Sequence, residues 1–181
     1  MLGTQPKVWG LETSRDNLLE VVDWCIQERG SNRVLMVVRQ EKRKGLWQPI
    51  EVGIEERIGE VFGSDMLVSF LASEWPGTQL VGHPARVFII KVSKRMREQL
   101  LGFECRLGSW THNNSPPQPE DLCLFQEGSA FPALLSCTHE GDAWVLSDTI
   151  ITLRGAIRSR FKLQDLCIAQ GKYFCKPWGG K

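Results

Sequence analysis

No stretch of this 181-residue chain stays apolar for long: the longest uninterrupted run, Val34 to Val38, is far short of the roughly 20 residues that a membrane-spanning helix needs. A surplus of one charge is missing too. With 22 Lys+Arg against 21 Asp+Glu the formal net charge is +1, which argues against an acidic disordered tail or a wholly basic nucleic-acid coat. The first residues, Met1-Leu2-Gly3-Thr4-Gln5-Pro6-Lys7, lack the charged-then-apolar order of a secretory signal, so the cytoplasm is the expected location. Close cysteine pairs are absent: the six cysteines are scattered, and a chain of this size needs no disulfide framework, so reduced, buried thiols are expected.

The usual cofactor signatures are absent as well. There is no G-x-G-x-x-G, no G-x-x-x-x-G-K-[ST], no H-E-x-x-H, no C-x-x-C and no G-x-S-x-G. Nucleotide, dinucleotide, zinc-peptidase and serine-hydrolase readings therefore lose their ordinary support, and no cofactor or metal is expected.

What the chain does have is pattern. Lys7 to Thr13 reads as a short strand, and Leu18, Leu19, Val21, Val22, Cys25 and Ile26 then fall on one face of a helix. Arg33 to Arg39 follows as a strand covered on both faces. This is a β-α-β start, parallel if the crossover stays in one sheet. Ile54, Ile58, Val61 and Phe62 predict a second helix over 53–62, and Met66, Leu67, Phe70, Leu71 and Trp75 fit a helical stripe over 64–75, though Met66-Leu67-Val68 also suits a strand. Leu80 to His83 and Arg86 to Val92 read as strands, with Ser93 capping a helix over 94–101. A similar unit recurs later, Leu134 to His139 and Ala143 to Ser147 with a helix from Asp148 to about Phe161, and strands over Leu122–Gln126, Pro132–Cys137 and Ala143–Ser147 make a meander before that helix. The expected architecture is α+β: a single mixed β-sheet with helices packed on it, the β-α-β start, and a C-terminal antiparallel meander followed by a helix. One globular domain accounts for the length, and the proline-rich stretch 102–121 is the place for any sub-domain boundary.

Two constellations carry chemistry. Cys137 and His139 sit two apart on an expected strand and so share a face, and Asp142 across the turn is placed to orient the imidazole. Such a trio would serve a small thiol-dependent hydrolase or transferase. The plainer account of the same residues is a buried thiol and a turn-closing histidine. The second constellation is the row Arg154, Arg158 and Lys162 at i, i+4, i+8, able to meet phosphates, nucleic acid or an acidic partner. Basic stems lying along an apolar stripe with their heads in water would look the same.

Seven tryptophans stand against one tyrosine, and Trp47 and Trp110, the latter beside His112, lie in expected loops. Tryptophan delivers much contact area for little lost entropy and is enriched in binding hot spots. The leading functional expectation is therefore a non-enzymatic cytosolic protein-binding domain of the inhibitor, immunity or adaptor kind, contacting its partner through Trp47, Trp110, His112 and the Arg154, Arg158, Lys162 row. The thiol enzyme built on Cys137, His139 and Asp142 is the alternative. Phosphate or nucleic-acid binding through the Arg154 row comes third. Charge also divides along the chain: residues 1–75 hold 9 basic and 12 acidic side chains, and residues 76–181 hold 13 and 9.

Overall fold

A computed structural model describes residues 8–11, 15–102, 119–137, 142–146 and 161–163. The fold is α+β. In chain order its elements are β1 (Val8–Leu11), α1 (Arg15–Gln27), β2 (Ser31–Arg43), β3 (Leu46–Pro49), α2 (Ile54–Phe62), a 3₁₀ turn (Gly63–Asp65), β4 (Met66–Ala72), β5 (Glu74–Trp75), β6 (Thr78–Gln79), β7 (Ala85–Lys91), α3 (Lys94–Gly102), β8 (Glu120–Gln126), β9 (Pro132–Cys137), β10 (Asp142–Leu146) and β11 (Phe161–Leu163).

The main sheet runs β11-β1-β10-β9-β8-β2-β7-β4, with β3 paired to the far end of β2, and β5-β6 form a separate two-stranded ribbon. Every pairing among the described strands is antiparallel, which corrects the expectation of a mixed sheet. β1 and β2 are not neighbours: β10, β9 and β8 lie between them, so α1 spans a wide crossover rather than joining adjacent parallel strands. β8, β9 and β10 are successive antiparallel neighbours.

Side-chain alternation divides the core in two. Val34, Met36 and Val38 of β2, with Phe88 and Ile90 of β7 and Leu124 of β8, face the helices. There they meet Val21, Val22 and Cys25 of α1, Ile54, Ile58 and Phe62 of α2, and Met96 and Leu100 of α3. Leu35, Val37, Val87, Ile89, Cys123, Phe125, Leu135, Cys137 and Trp144 form the opposite face, and Trp75 of the β5-β6 ribbon packs there. Burial on both faces explains why β2 reads as a continuous apolar run rather than an alternating one. Ser93 caps α3 by accepting a hydrogen bond from the Met96 backbone N–H at 3.0 Å.

Three expectations need correction. The segment 64–75 is not a helix: Met66–Ala72 is a strand, in register with β7 from Val68↔Ile89 to Ala72↔Ala85. Its apolar residues satisfied both periods, and a buried neighbour in β7 offers backbone pairing plus a packed face that a lone amphipathic turn cannot match. Leu80–His83 is not a strand but the connection from β6 to β7. Phe161, the expected end of the last helix, is instead the first residue of β11, where Phe161–Leu163 pairs with Leu11–Trp9. The remainder of that expected helix, and all of 103–118, falls outside the described residues.

Candidate functional site

Two regions bring chemistry-bearing side chains together. The first is buried where β8 meets β2. Between Val37↔Glu120 and Leu35↔Cys123, β2 advances two residues while β8 advances three, so β8 carries a bulge. Asp121 is the residue this strains, with φ of 45° and no exposed surface. The bulge turns its carboxylate toward the β5-β6 ribbon, whose two-residue turn, Pro76-Gly77, is permitted by Gly77 at φ 85°. Asp121 Oδ2 accepts from Trp75 Nε1 at 2.8 Å and from Thr78 Oγ1 at 3.0 Å. Thr78 Oγ1 also lies 3.7 Å from Cys137 Sγ. A hydroxyl has one proton, and Thr78 gives it to Asp121, so the Cys137 thiol is the donor in the last contact.

This describes where Cys137 sits: buried, with its proton engaged in a Cys-Thr-Asp chain. Asp142 is its cross-strand Cα partner in the β9-β10 register. His139, between them in sequence, lies outside the described residues, as do Trp110, His112, Arg154 and Arg158. Lys162 is on β11 opposite Gly10, so it does not continue a helical row from Arg158. Nothing in sequence joins Asp121, Thr78 and Trp75 as a unit; the one local signal is Pro76-Gly77, a turn-forming pair between Trp75 and Thr78.

Burial alters the thiols near this region and across the sheet. Desolvation raises the Cys123 thiol well above its ordinary value, and the neighbouring Asp121 carboxylate adds to the effect. On the helix side, desolvation pushes Cys25 from 9.0 up to about 12, with Arg29 opposing weakly. An unfolded chain releases these protons near pH 9 and the folded chain does not. Stability is therefore complete below pH 9 and falls as pH rises from 9 toward 12. Between pH 8 and pH 10, Cys25 should account for a loss of about 1 kcal/mol. Urea unfolding at the two pH values checks this, with Cys25→Ala expected to flatten the dependence by that amount.

The second region is at the surface. β2 runs on past the main sheet and turns at Lys44-Gly45 into β3, placing Lys42 opposite Trp47 and Arg43 opposite Leu46. Lys44 and Gly45 carry φ of 51° and 83°, the left-handed pair that a tight two-residue hairpin demands. Trp47 is half-buried, because the exposed His83 packs edge-on to it with ring centroids 5.7 Å apart. His83 is thus a surface residue in contact with Trp47. In the hairpin, its exit and the β6-β7 connection, Leu46, Val52 and Val81 are 66%, 79% and 94% exposed, and Ile50 is exposed too. A shallow cleft adjoins the hairpin exit, lined by Val37, Val38, Ile50 and Ile54, with the Arg39–Glu120 ion pair at 2.6 Å on its polar wall.

Compared with known families, curated proteins and solved structures, the chain matches none. Its function has to be argued from these two regions alone. Among the described residues no helix is long and apolar enough to cross a membrane, and no group of three or more His, Cys, Asp or Glu is gathered for a metal.

Proposed function

We propose that the chain is a protein-binding domain of the inhibitor, immunity or adaptor kind, working without catalysis, and that the β2-β3 hairpin with the β6-β7 connection is its contact surface. One observation carries the reading: Leu46, Ile50, Val52 and Val81 stand exposed in two segments, the hairpin with its exit and the β6-β7 connection, that the half-buried Trp47 joins through His83. Water-facing apolar side chains scattered singly mean little, whereas several of them in two segments held together by an aromatic contact are the composition of an interface. Lys42 and Lys44 are exposed at the same hairpin and supply a polar rim that favours a partner with acidic groups near an apolar centre. The reduced, buried state of Cys25, Cys123 and Cys137 suits a reducing compartment, and the cytoplasm is the proposed setting.

The test is paired affinity capture from native lysate with the wild-type chain and a Leu46→Asp/Val81→Asp variant. Both substitutions fall on exposed positions, so stability should change by less than about 0.5 kcal/mol each. A protein retained by wild type and reduced at least about tenfold on the variant supports the surface. Identical captured sets would remove it.

A further inference from the structure

On the face of the main sheet opposite the helices lies a flap. Among the described residues, the apolar side chains that reach this face from outside the sheet are Trp75 and Leu80, carried by the β5-β6 ribbon and its exit. The ribbon lies tip inward: Trp75, Pro76 and Thr78 are buried, while Ser73, Glu74 and Gln79 at its base are exposed. The base closes on itself, Leu80 N–H donating to the Ser73 carbonyl at 2.8 Å, and β5 and β6 pair with each other and with no other described strand. Exposed Val81, Gly82 and His83 lead on to β7, with Gly82 at φ 86°. The tip is seated on polar groups, two of them thiols. Besides the Trp75 and Thr78 bonds to Asp121, the Cys137 thiol donates to Thr78 Oγ1 at 3.7 Å and the Cys123 thiol to the Pro76 carbonyl at 4.0 Å. Cys123 and Cys137 sit on the adjacent strands β8 and β9, two positions apart in register, so one flap covers both.

From this seating we infer that the β5-β6 ribbon is a hinged cover over a paired thiol site, lifting without unfolding the sheet, and that Cys123 and Cys137 then react with small electrophiles that the closed flap excludes. A short unit with an exposed base and exposed connections opens at lower free energy than the buried strands beneath it. Closed, both side chains are almost wholly out of contact with water, and desolvation holds the Cys123 thiol protonated well above its ordinary range. Open, a thiol gives its proton to water, and the thiolate displaces the leaving group of the electrophile as an S–C bond forms. The adduct then blocks reseating, because each sulfur lies directly against the ribbon in a packed interior that has no space for an added group. Modification thus turns a transient opening into a lasting one. The site is separate from the β2-β3 hairpin and its test uses no partner, so the inference does not depend on the binding role proposed above.

Iodoacetamide labelling of the purified full-length chain at mildly alkaline pH, read peptide by peptide by mass spectrometry, tests it. The reference is the labelling rate of the urea-unfolded chain multiplied by the unfolded fraction in buffer, which is the rate expected if reaction required global unfolding. Cys123 and Cys137 should each exceed that reference at least about tenfold, and change little in low urea, because lifting the ribbon exposes little surface. Thr78→Val removes the hydroxyl that links Asp121 to Cys137, and should speed both thiols several-fold more than it raises the unfolded fraction. After alkylation, hydrogen exchange over 74–80 should be faster while β2 and β7 keep their protection. A Cys123→Ala/Cys137→Ala chain treated in the same way should show no such change. Labelling of either thiol at the global-unfolding rate overturns the inference. So does unaltered exchange over 74–80 once both thiols are alkylated.

Discussion

Asp121→Ala is expected to destabilise the fold by about 3 kcal/mol or more, one of the largest single-residue effects in the chain. The carboxylate oxygen it removes accepts from two buried donors, the Trp75 indole at 2.8 Å and the Thr78 hydroxyl at 3.0 Å. Alanine leaves both without that acceptor in a site closed to water, and an orphaned buried donor costs about 1 to 3 kcal/mol. Alanine must also adopt the φ of 45° that the β8 bulge imposes, a conformation aspartate and asparagine tolerate better. For a domain of this size the shift in Tm is about 6 to 12 °C. Asp121→Asn keeps one carbonyl acceptor and the backbone preference, so it should lose less than half as much. A Trp75→Phe background isolates the indole contribution, and the double variant should fall short of the sum of the two singles. If Asp121→Ala unfolds in urea at the wild-type midpoint, the buried chain from Cys137 through Thr78 to Asp121 contributes nothing to stability.

The loss should also be local before it is global. Asp121 ties the β5-β6 ribbon to the sheet, and that ribbon follows β4 immediately in sequence. Loosening it would free the ribbon and the adjoining C-terminal end of β4. Faster hydrogen exchange in the β5-β6 ribbon of Asp121→Ala than in the rest of the sheet is the corresponding expectation.

How much of this was legible in sequence depended on whether a feature was local. The α2 stripe of Ile54, Ile58 and Phe62 announces itself by spacing, and so does β2, because its apolar run is too short for a helix and rich in valine. β4 did not, since Met66, Leu67, Phe70 and Leu71 satisfy a helical stripe as well as a strand, and only the distant β7 decides between them. The strand order was hidden for the same reason: β1 and β2 look like the two halves of one parallel unit until β8, β9 and β10 are seen between them. Asp121 was invisible as a site residue because its partners are 46 and 43 positions away, and nothing in Glu-Asp-Leu marks a bulge. Cys137 was singled out for its neighbour His139, whereas the contact that the structure describes is with Thr78. Trp47 was legible as a loop tryptophan, but its pairing with His83 needed the fold.

Phe62→Ala is expected to cost about 3 to 5 kcal/mol, and it bears on the hairpin surface through α2. Phe62 is fully buried at the C-terminal end of α2 and, with Ile54 and Ile58, forms the stripe that seats the helix on the sheet. Truncation removes the ring's burial and leaves a cavity, because the surrounding Val, Ile and Met side chains can close only part of the space. The N-terminal end of α2 has its own anchor. Glu55 accepts from Gln40 Nε2 at 2.7 Å and from Arg86 Nε at 3.1 Å, joining the helix to β2 and β7 where the hairpin leaves the sheet. Gly53, at φ 83°, then turns the chain from the hairpin exit into the helix. A helix loosened at Phe62 but held at Glu55 should lose stability without losing the Trp47–His83 contact. Trp47 fluorescence and partner capture should therefore stay near wild type well below the lowered Tm, while adding Glu55→Ala should shift both. If Phe62→Ala alone abolishes capture in a chain that is still folded, the contact surface depends on the whole of α2 rather than on its first turn.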